Sequence, residues 1–172
     1  SITRDYGLLD TFTATAECAW MLLLSCHRHL RTVTRDALAG RWHGDRRVGT
    51  QLSGRTLGVL GIGRLGKMTT TFGKAFRMRV LGCDIQPLEQ DWVEPVDFQR
   101  LFAESDAISL HIHMNDENRH IIDRAALARM KPGAILINTS RGDLVDEEAL
   151  ISALEAGTLA AYGADVIHDE WR

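Results

Sequence analysis

No stretch of this 172-residue sequence is long and apolar enough to cross a bilayer. The longest apolar run, Cys18–Leu24, holds seven residues, where about 20 are needed. The first residues carry acids and lack the charged-then-apolar layout of a secretory leader, so none is expected. Cysteine is scarce: Cys18, Cys26 and Cys83 make neither a paired framework nor a metal-binding spacing, which points to a reducing, cytoplasmic setting. Strong charge of either sign is missing as well. A net charge of −3 gives no reason to expect nucleic acid or an anionic membrane as a partner. No segment repeats, and none is of low complexity. What remains is an ordinary globular composition, 45% hydrophobic and 25% charged, in a length that favours one domain with a full core.

The stretch that organises the rest is Thr56–Gly66, TLGVLGIGRLG. Leu57, Val59, Leu60 and Ile62 form an apolar run suited to a buried parallel strand. The run breaks into Gly61-Ile62-Gly63-Arg64-Leu65-Gly66, and a helical pattern follows over roughly 65–76. In such a strand–turn–helix each glycine has its own task. The first permits the tight turn, the second lets a pyrophosphate lie against bare backbone, and the third lets helix and strand pack closely. The phosphates would sit at the helix start, around Arg64 and Leu65, where unpaired N–H groups and the helix dipole favour negative charge. A bare G-x-G-x-x-G is weak evidence, because glycine-rich turns are common. The context strengthens it: a second apolar run, Arg79–Asp84, ends in an acid 23 residues beyond Gly61, close to the spacing at which a carboxylate reaches ribose hydroxyls. The plain alternative is a surface Asp closing a strand. An acid at Asp84 repels the extra phosphate of NADP, so NAD is the expected cofactor.

Upstream, residues 10–30 read as a helix with Ala16, Ala19, Trp20, Leu23 and Leu24 on one broad face, and residues 33–39 as a second, stopped by Gly40. Residues 41–54 lack periodicity. Trp20 and Trp42 would be costly on a monomer surface, which favours a partner for this arm. Downstream, strands are expected at 107–112, 134–139 and 160–167, with helices at 97–104, 123–130 and 146–156 between them. Such alternation implies an α/β fold: a doubly wound parallel sheet of Rossmann type, preceded by a helical arm. Residues 1–172 then make a single NAD-binding domain, with 1–54 as arm and loop and 55–172 as the core. Strand C-termini line one edge, where ligands bind in such folds; they carry Gly61, Gly63, Asp84, His111, Ile112, Thr139, Ser140, Arg141 and Asp165. His111 and His113 could suggest a metal, but two histidines without a third ligand are thin, and no metal site is assigned.

The run Asn138–Glu147, after Met130-Lys-Pro-Gly-Ala134, resembles the signature of the D-isomer-specific 2-hydroxyacid dehydrogenases. Ser109–Ile112, Asn118–Ile122, Thr15–Glu17 and Ala164–Val166 match the same family, with the phosphoglycerate dehydrogenase branch nearest. The resemblance covers nearly the whole chain and looks like the family's nucleotide-binding domain. It implies that Arg141 grips a substrate carboxylate and polarises the adjacent carbonyl, that Asp165 contacts the nicotinamide amide, and that Glu170 orients and charges a catalytic His. The matching arm in the family wraps a neighbouring subunit, so a homodimer is expected. Two parts of the family pattern are not found among these residues: the catalytic His, which lies beyond the position of Glu170, and the substrate domain. His113 stands where the family often has Pro. The expectation is therefore the NAD-binding domain of an oxidoreductase acting on a 2-hydroxy or 2-oxo acid, incomplete as it stands. The alternative is a non-catalytic NAD-binding or sensing module.

Overall fold

The computed structural model describes residues 11–41 and 49–168; Trp42 and Glu170 lie outside them. Two helices come first, α1 (Ala14–His27) and α2 (Leu30–Leu38), followed by β1 (Thr56–Leu60), α3 (Arg64–Ala75), β2 (Arg79–Cys83) and β3 (Val93–Pro95). The chain continues through α4 (Phe98–Glu104), β4 (Ala107–Leu110), α5 (Arg124–Arg129), β5 (Ala134–Asn138), a 3₁₀ turn (Gly142–Leu144), α6 (Glu147–Glu155) and β6 (Leu159–Ala164). The six strands form one sheet in the order β3-β2-β1-β4-β5-β6, every pair parallel. The expected doubly wound sheet is the observed architecture.

Local chemistry sets the element boundaries. Asp97, Asp123 and Asp146 each cap a helix, their carboxylates accepting the N–H groups of Arg100, Ala126 and Ala149 at 2.8, 2.7 and 3.0 Å. The sheet's inner strands are apolar on both sides because helices cover both faces. On one face Leu57, Val59, Val80 and Ile137 meet α1 through Ala19, Trp20 and Leu23. On the other, Ile108, Leu110 and Leu136 meet Leu101, Phe102, Leu127 and Leu150 of α4, α5 and α6.

Four expectations need correction. The helix expected over 10–30 runs only from Ala14 to His27. His29 takes a left-handed backbone, φ 52°, and the chain restarts at Leu30 rather than Val33. The strand β3 was not foreseen, because three residues ending in Pro95 show no period; Pro95 is tolerated because β3 is an edge strand. Trp20 is not a surface group in need of a partner. It is buried against α3, its ring 5.7 Å from that of Phe72 and 5.0 Å from that of Phe76, so α1 belongs to the core of the sheet domain. The strands expected to reach Ile112 and Ile167 also stop early, at Leu110 and Ala164.

The end of α1 carries a titratable group in the core. His27 is 4% exposed, its Nδ1 lies 2.8 Å from Thr50 Oγ1, and its Nε2 has no hydrogen-bond partner among the described residues. Burial, reinforced by the nearby Arg55 cation, lowers its pKa from 6.5 to about 4. The unfolded chain therefore binds a proton near pH 6.5 that the folded chain refuses until about pH 4. Stability is full above pH 6.5 and falls as the pH drops through that window, by up to about 3 kcal/mol for this one group. Urea unfolding between pH 7.5 and 4.5 should show the decline, and His27→Gln should flatten it. An unchanged slope in His27→Gln would show that this imidazole is not the group responsible.

Candidate dinucleotide site

In the sheet order, β1 and β4 are neighbours whose connections leave in opposite directions, and the crevice at their C-terminal ends is where such sheets bind ligands. The turn after β1 fills that point. Gly61 has φ 90° and donates its N–H to the Cys83 carbonyl at 2.8 Å; a Cβ there would meet the His111 carbonyl oxygen at 2.7 Å and Ile112 Cγ2 at 2.8 Å. At Gly66 a Cβ would lie 2.0 Å from the Gly61 carbonyl oxygen. Both positions need glycine for reasons internal to the protein. Gly63 does not. Its backbone is extended, φ −70° and ψ −164°, and an added Cβ would meet nothing within 4 Å. It stands at the cap of α3, where the helix's first N–H groups face outward.

Asp84 sits beside this turn and has a role that its spacing alone does not disclose. One carboxylate oxygen accepts the Ile62 N–H, and the other accepts the Gln86 N–H at 2.9 Å. The acid therefore braces the glycine turn as well as standing at its edge. Alongside α3 opens a cleft of about 1090 Å³, walled by Ile62, Gly63, Arg64, Lys67, Met68 and Thr71 on one side and by Asp84 and residues 86–90 and 92 on the other. Arg64 Nη1 donates to the Phe12 carbonyl at 2.6 Å, tying the start of α3 to the segment before α1.

The remaining strand ends converge on the same edge. His111 Nε2 lies 2.9 Å from Ser109 Oγ, while its Nδ1 is buried without a partner among the described residues. Burial lowers its pKa to about 4, so the ring is neutral at physiological pH. His113 is exposed and stands apart from this contact. After β5, the buried Asn138 accepts the Ser140 N–H at 3.0 Å and donates to the Arg141 carbonyl at 2.8 Å and to the Tyr162 hydroxyl at 3.3 Å. Ser140 Oγ donates to the Leu110 carbonyl at 2.9 Å, joining the ends of β4 and β5. Thr139 Oγ1 is buried and has no hydrogen-bond partner among the described residues. These contacts fix the backbone of Arg141, whose exposed guanidinium donates to the Ser140 carbonyl at 2.6 Å. Asp165, exposed past the end of β6, accepts the Cys18 thiol at 3.6 Å.

One cluster escaped the sequence reading. Asp143 pairs with His168 Nδ1 and with Arg119 Nη2 at 3.3 Å, while Glu147 accepts the His168 N–H at 3.0 Å. His168 foremost, with Arg119, holds the Asp143 carboxyl below its usual pKa. The four residues span 49 positions, from Arg119 to His168; the His120 N–H, donating to the Asp143 carbonyl at 2.8 Å, and the close approach of Gly142 to Ile167 and His168 bring them together.

A parallel doubly wound sheet with its glycine turn, acid and open helix N-terminus at the switch point defines a dinucleotide-binding domain. Residues 20–172 match the family described as D-isomer specific 2-hydroxyacid dehydrogenase, NAD binding domain, and the chain belongs to that family. It is 41% identical to the hydroxypyruvate reductase of Thermotoga maritima over 156 residues, covering 90% of this chain and 51% of that one. It is 38% identical to the D-3-phosphoglycerate dehydrogenase of Methanocaldococcus jannaschii over 160 residues, covering 90% of this chain and 30% of that one. Among solved structures, the D-lactate dehydrogenase of Aquifex aeolicus, complexed with NAD and lactic acid, superposes with a TM-score of 0.87 at 34% identity, over 92% of this chain and 48% of that one. The chain spans about half the length, or less, of the relatives it matches.

Proposed function

We propose that this chain binds NAD with the pyrophosphate on the turn from Gly61 to Gly66 and the adenosine ribose at Asp84, within an enzyme that interconverts 2-hydroxy and 2-oxo acids. The observation that carries the reading is Gly63, the cap residue of α3, where an added Cβ would meet nothing within 4 Å among the described residues. Backbone that must stay bare where no side chain crowds it is what a close-lying pyrophosphate needs. His111, Ile112, Thr139 and Ser140 wall the cofactor, and Asp165 receives the nicotinamide amide. Hydride exchange at the substrate's 2-carbon is the chemistry NAD supplies when bound. Arg141 holds the substrate carboxylate bidentately and draws electron density from the adjacent carbonyl; the Asn138 amide keeps its backbone in place. Glu170 orients and charges the proton-carrying imidazole, as the family resemblance implies.

Calorimetry tests this reading. NADH should bind in preference to NADPH, because Asp84 bonds a ribose diol and repels a 2′-phosphate. Asp84→Ala should narrow the preference and, by unbracing the Ile62 N–H, weaken NADH too. A 2-oxoacid titrated into the NADH complex should bind more weakly to Arg141→Ala. Equal affinity of the unaltered chain for NADH and NADPH would sink the Asp84 assignment.

We further propose a homodimer in the cytoplasm, with residues 1–54 as an arm on a single NAD-binding domain. The support for association is α2, which has no buried residue and leaves Leu30, Val33 and Leu38 at 52, 36 and 86% exposure. Three free cysteines fit a reducing compartment. Removing the whole arm is an unsuitable test, since α1 supplies Trp20 and Leu23 to the core. Leu38→Glu leaves the core intact and should convert the dimer to a monomer in light scattering. A monomeric parent at micromolar concentration contradicts the proposal, and so does a dimer unaffected by Leu38→Glu and Leu30→Glu together.

A further inference from the structure

The cleft beside Asp84 contains a second charge arrangement that the glycine turn does not need. Lys67, one turn into α3, places Nζ 2.6 Å from Glu89 Oε2 in the segment after β2, and both side chains are solvent-accessible. They line the same cleft as Gly63, Arg64, Asp84 and Gln86. The cationic groups on its wall are Arg64 and Lys67, and the anionic groups are Asp84 and Glu89, so the lining carries no net charge.

We propose that Glu89 is a second determinant of cofactor choice, acting by neutralising the one lysine on the cleft wall that could receive a 2′-phosphate. The inference rests on the placement of the adenosine ribose at Asp84. A ribose held there carries its 2′-oxygen at the edge of the cleft, so a phosphate added to it enters the space between α3 and residues 86–90. Lys67 is the ammonium nearest the α3 N-terminus on that wall, and Arg64 already donates to the Phe12 carbonyl. While Glu89 holds Lys67, an incoming phosphate must displace a carboxylate to reach the ammonium. The Lys67 contact also holds the Glu89 carboxyl below its usual pKa, so the anion persists through the neutral range. Asp84 then excludes the phosphate by direct repulsion, and Glu89 by occupying the counter-charge. Glu89 acts through its contact with Lys67.

The test is the ratio of NADPH to NADH affinity, measured by calorimetry on the full chain at low and high salt. Four proteins are compared: the parent, Glu89→Gln, Lys67→Met and the double variant. Glu89→Gln should shift the ratio toward NADPH by about two- to fivefold, the range that an exposed charge pair supplies. The shift should vanish in the double variant and shrink at high salt. An unchanged ratio in Glu89→Gln, with NADH still bound, overturns the proposal while leaving the Asp84 site intact. A shift that survives in the double variant also overturns it, since Lys67 would not be the receiving charge. Failure of the parent to bind NADH at all overturns the cofactor placement itself, and this proposal with it.

Discussion

The Gly61 carbonyl oxygen lies so close to the Cα of Gly66 that a Cβ would stand 2.0 Å from it, and this contact holds the N-terminus of α3 down on the end of β1. The rest of the site depends on that closeness. The Gly61 N–H reaches the Cys83 carbonyl of β2, the Ile62 N–H reaches Asp84, and the His111 N–H reaches the Leu60 carbonyl at 2.7 Å. Three strand ends and one helix start therefore meet within a single turn. The helix's unpaired N–H groups are presented at a fixed place, with an acid at a fixed distance along the edge. Such a geometry is preorganised for an anion followed by a diol, which is the layout of a dinucleotide's pyrophosphate and ribose.

The Arg141 end of the edge is built by a different device. The backbone around Arg141 is held by the buried Asn138 amide, and the Ser140 hydroxyl ties it to the end of β4. Both polar groups are satisfied by the protein, so the loop is set before any ligand arrives. The arm contributes in the same sense. Because Trp20 and Leu23 complete the core on the face of Val59 and Ile137, α1 is part of the scaffold, and its Cys18 reaches Asp165 at the cofactor edge. Among the described helices only α2 has no buried residue.

Much of this was legible in the residues. Apolar runs bounded by Gly and Asp gave the strands their places, three aspartates announced their helices, and the G-x-G-x-x-G spacing with Asp84 located the turn. Legibility failed where a feature depended on tertiary closure. A three-residue edge strand has no period to read, and the break at His29 depends on a left-handed backbone that its sequence context does not signal. Trp20 was misjudged because a helix's covered face cannot be assigned before its neighbour is known; α3 supplied the cover through Phe72 and Phe76. Asp84 was readable as the acid closing β2 beside the turn but not as a brace, since its bond to the Ile62 N–H joins residues that only the fold brings together. The same holds for Asp143 and His168.

By its contacts Gly66 serves the fold, whereas the role proposed for Gly63 is toward a ligand. Two alanine variants, compared by thermal unfolding and by NADH titration, separate these roles most directly. Gly66→Ala drives a Cβ into the Gly61 carbonyl and should cost stability on the order of 3 kcal/mol. Gly63→Ala places a methyl group in open space; it should lose no more than about 1 kcal/mol, as at any helix cap, yet weaken NADH binding at least tenfold. A Gly63→Ala protein that binds NADH as tightly as the parent, or a Gly66→Ala protein as stable as the parent, would contradict the account.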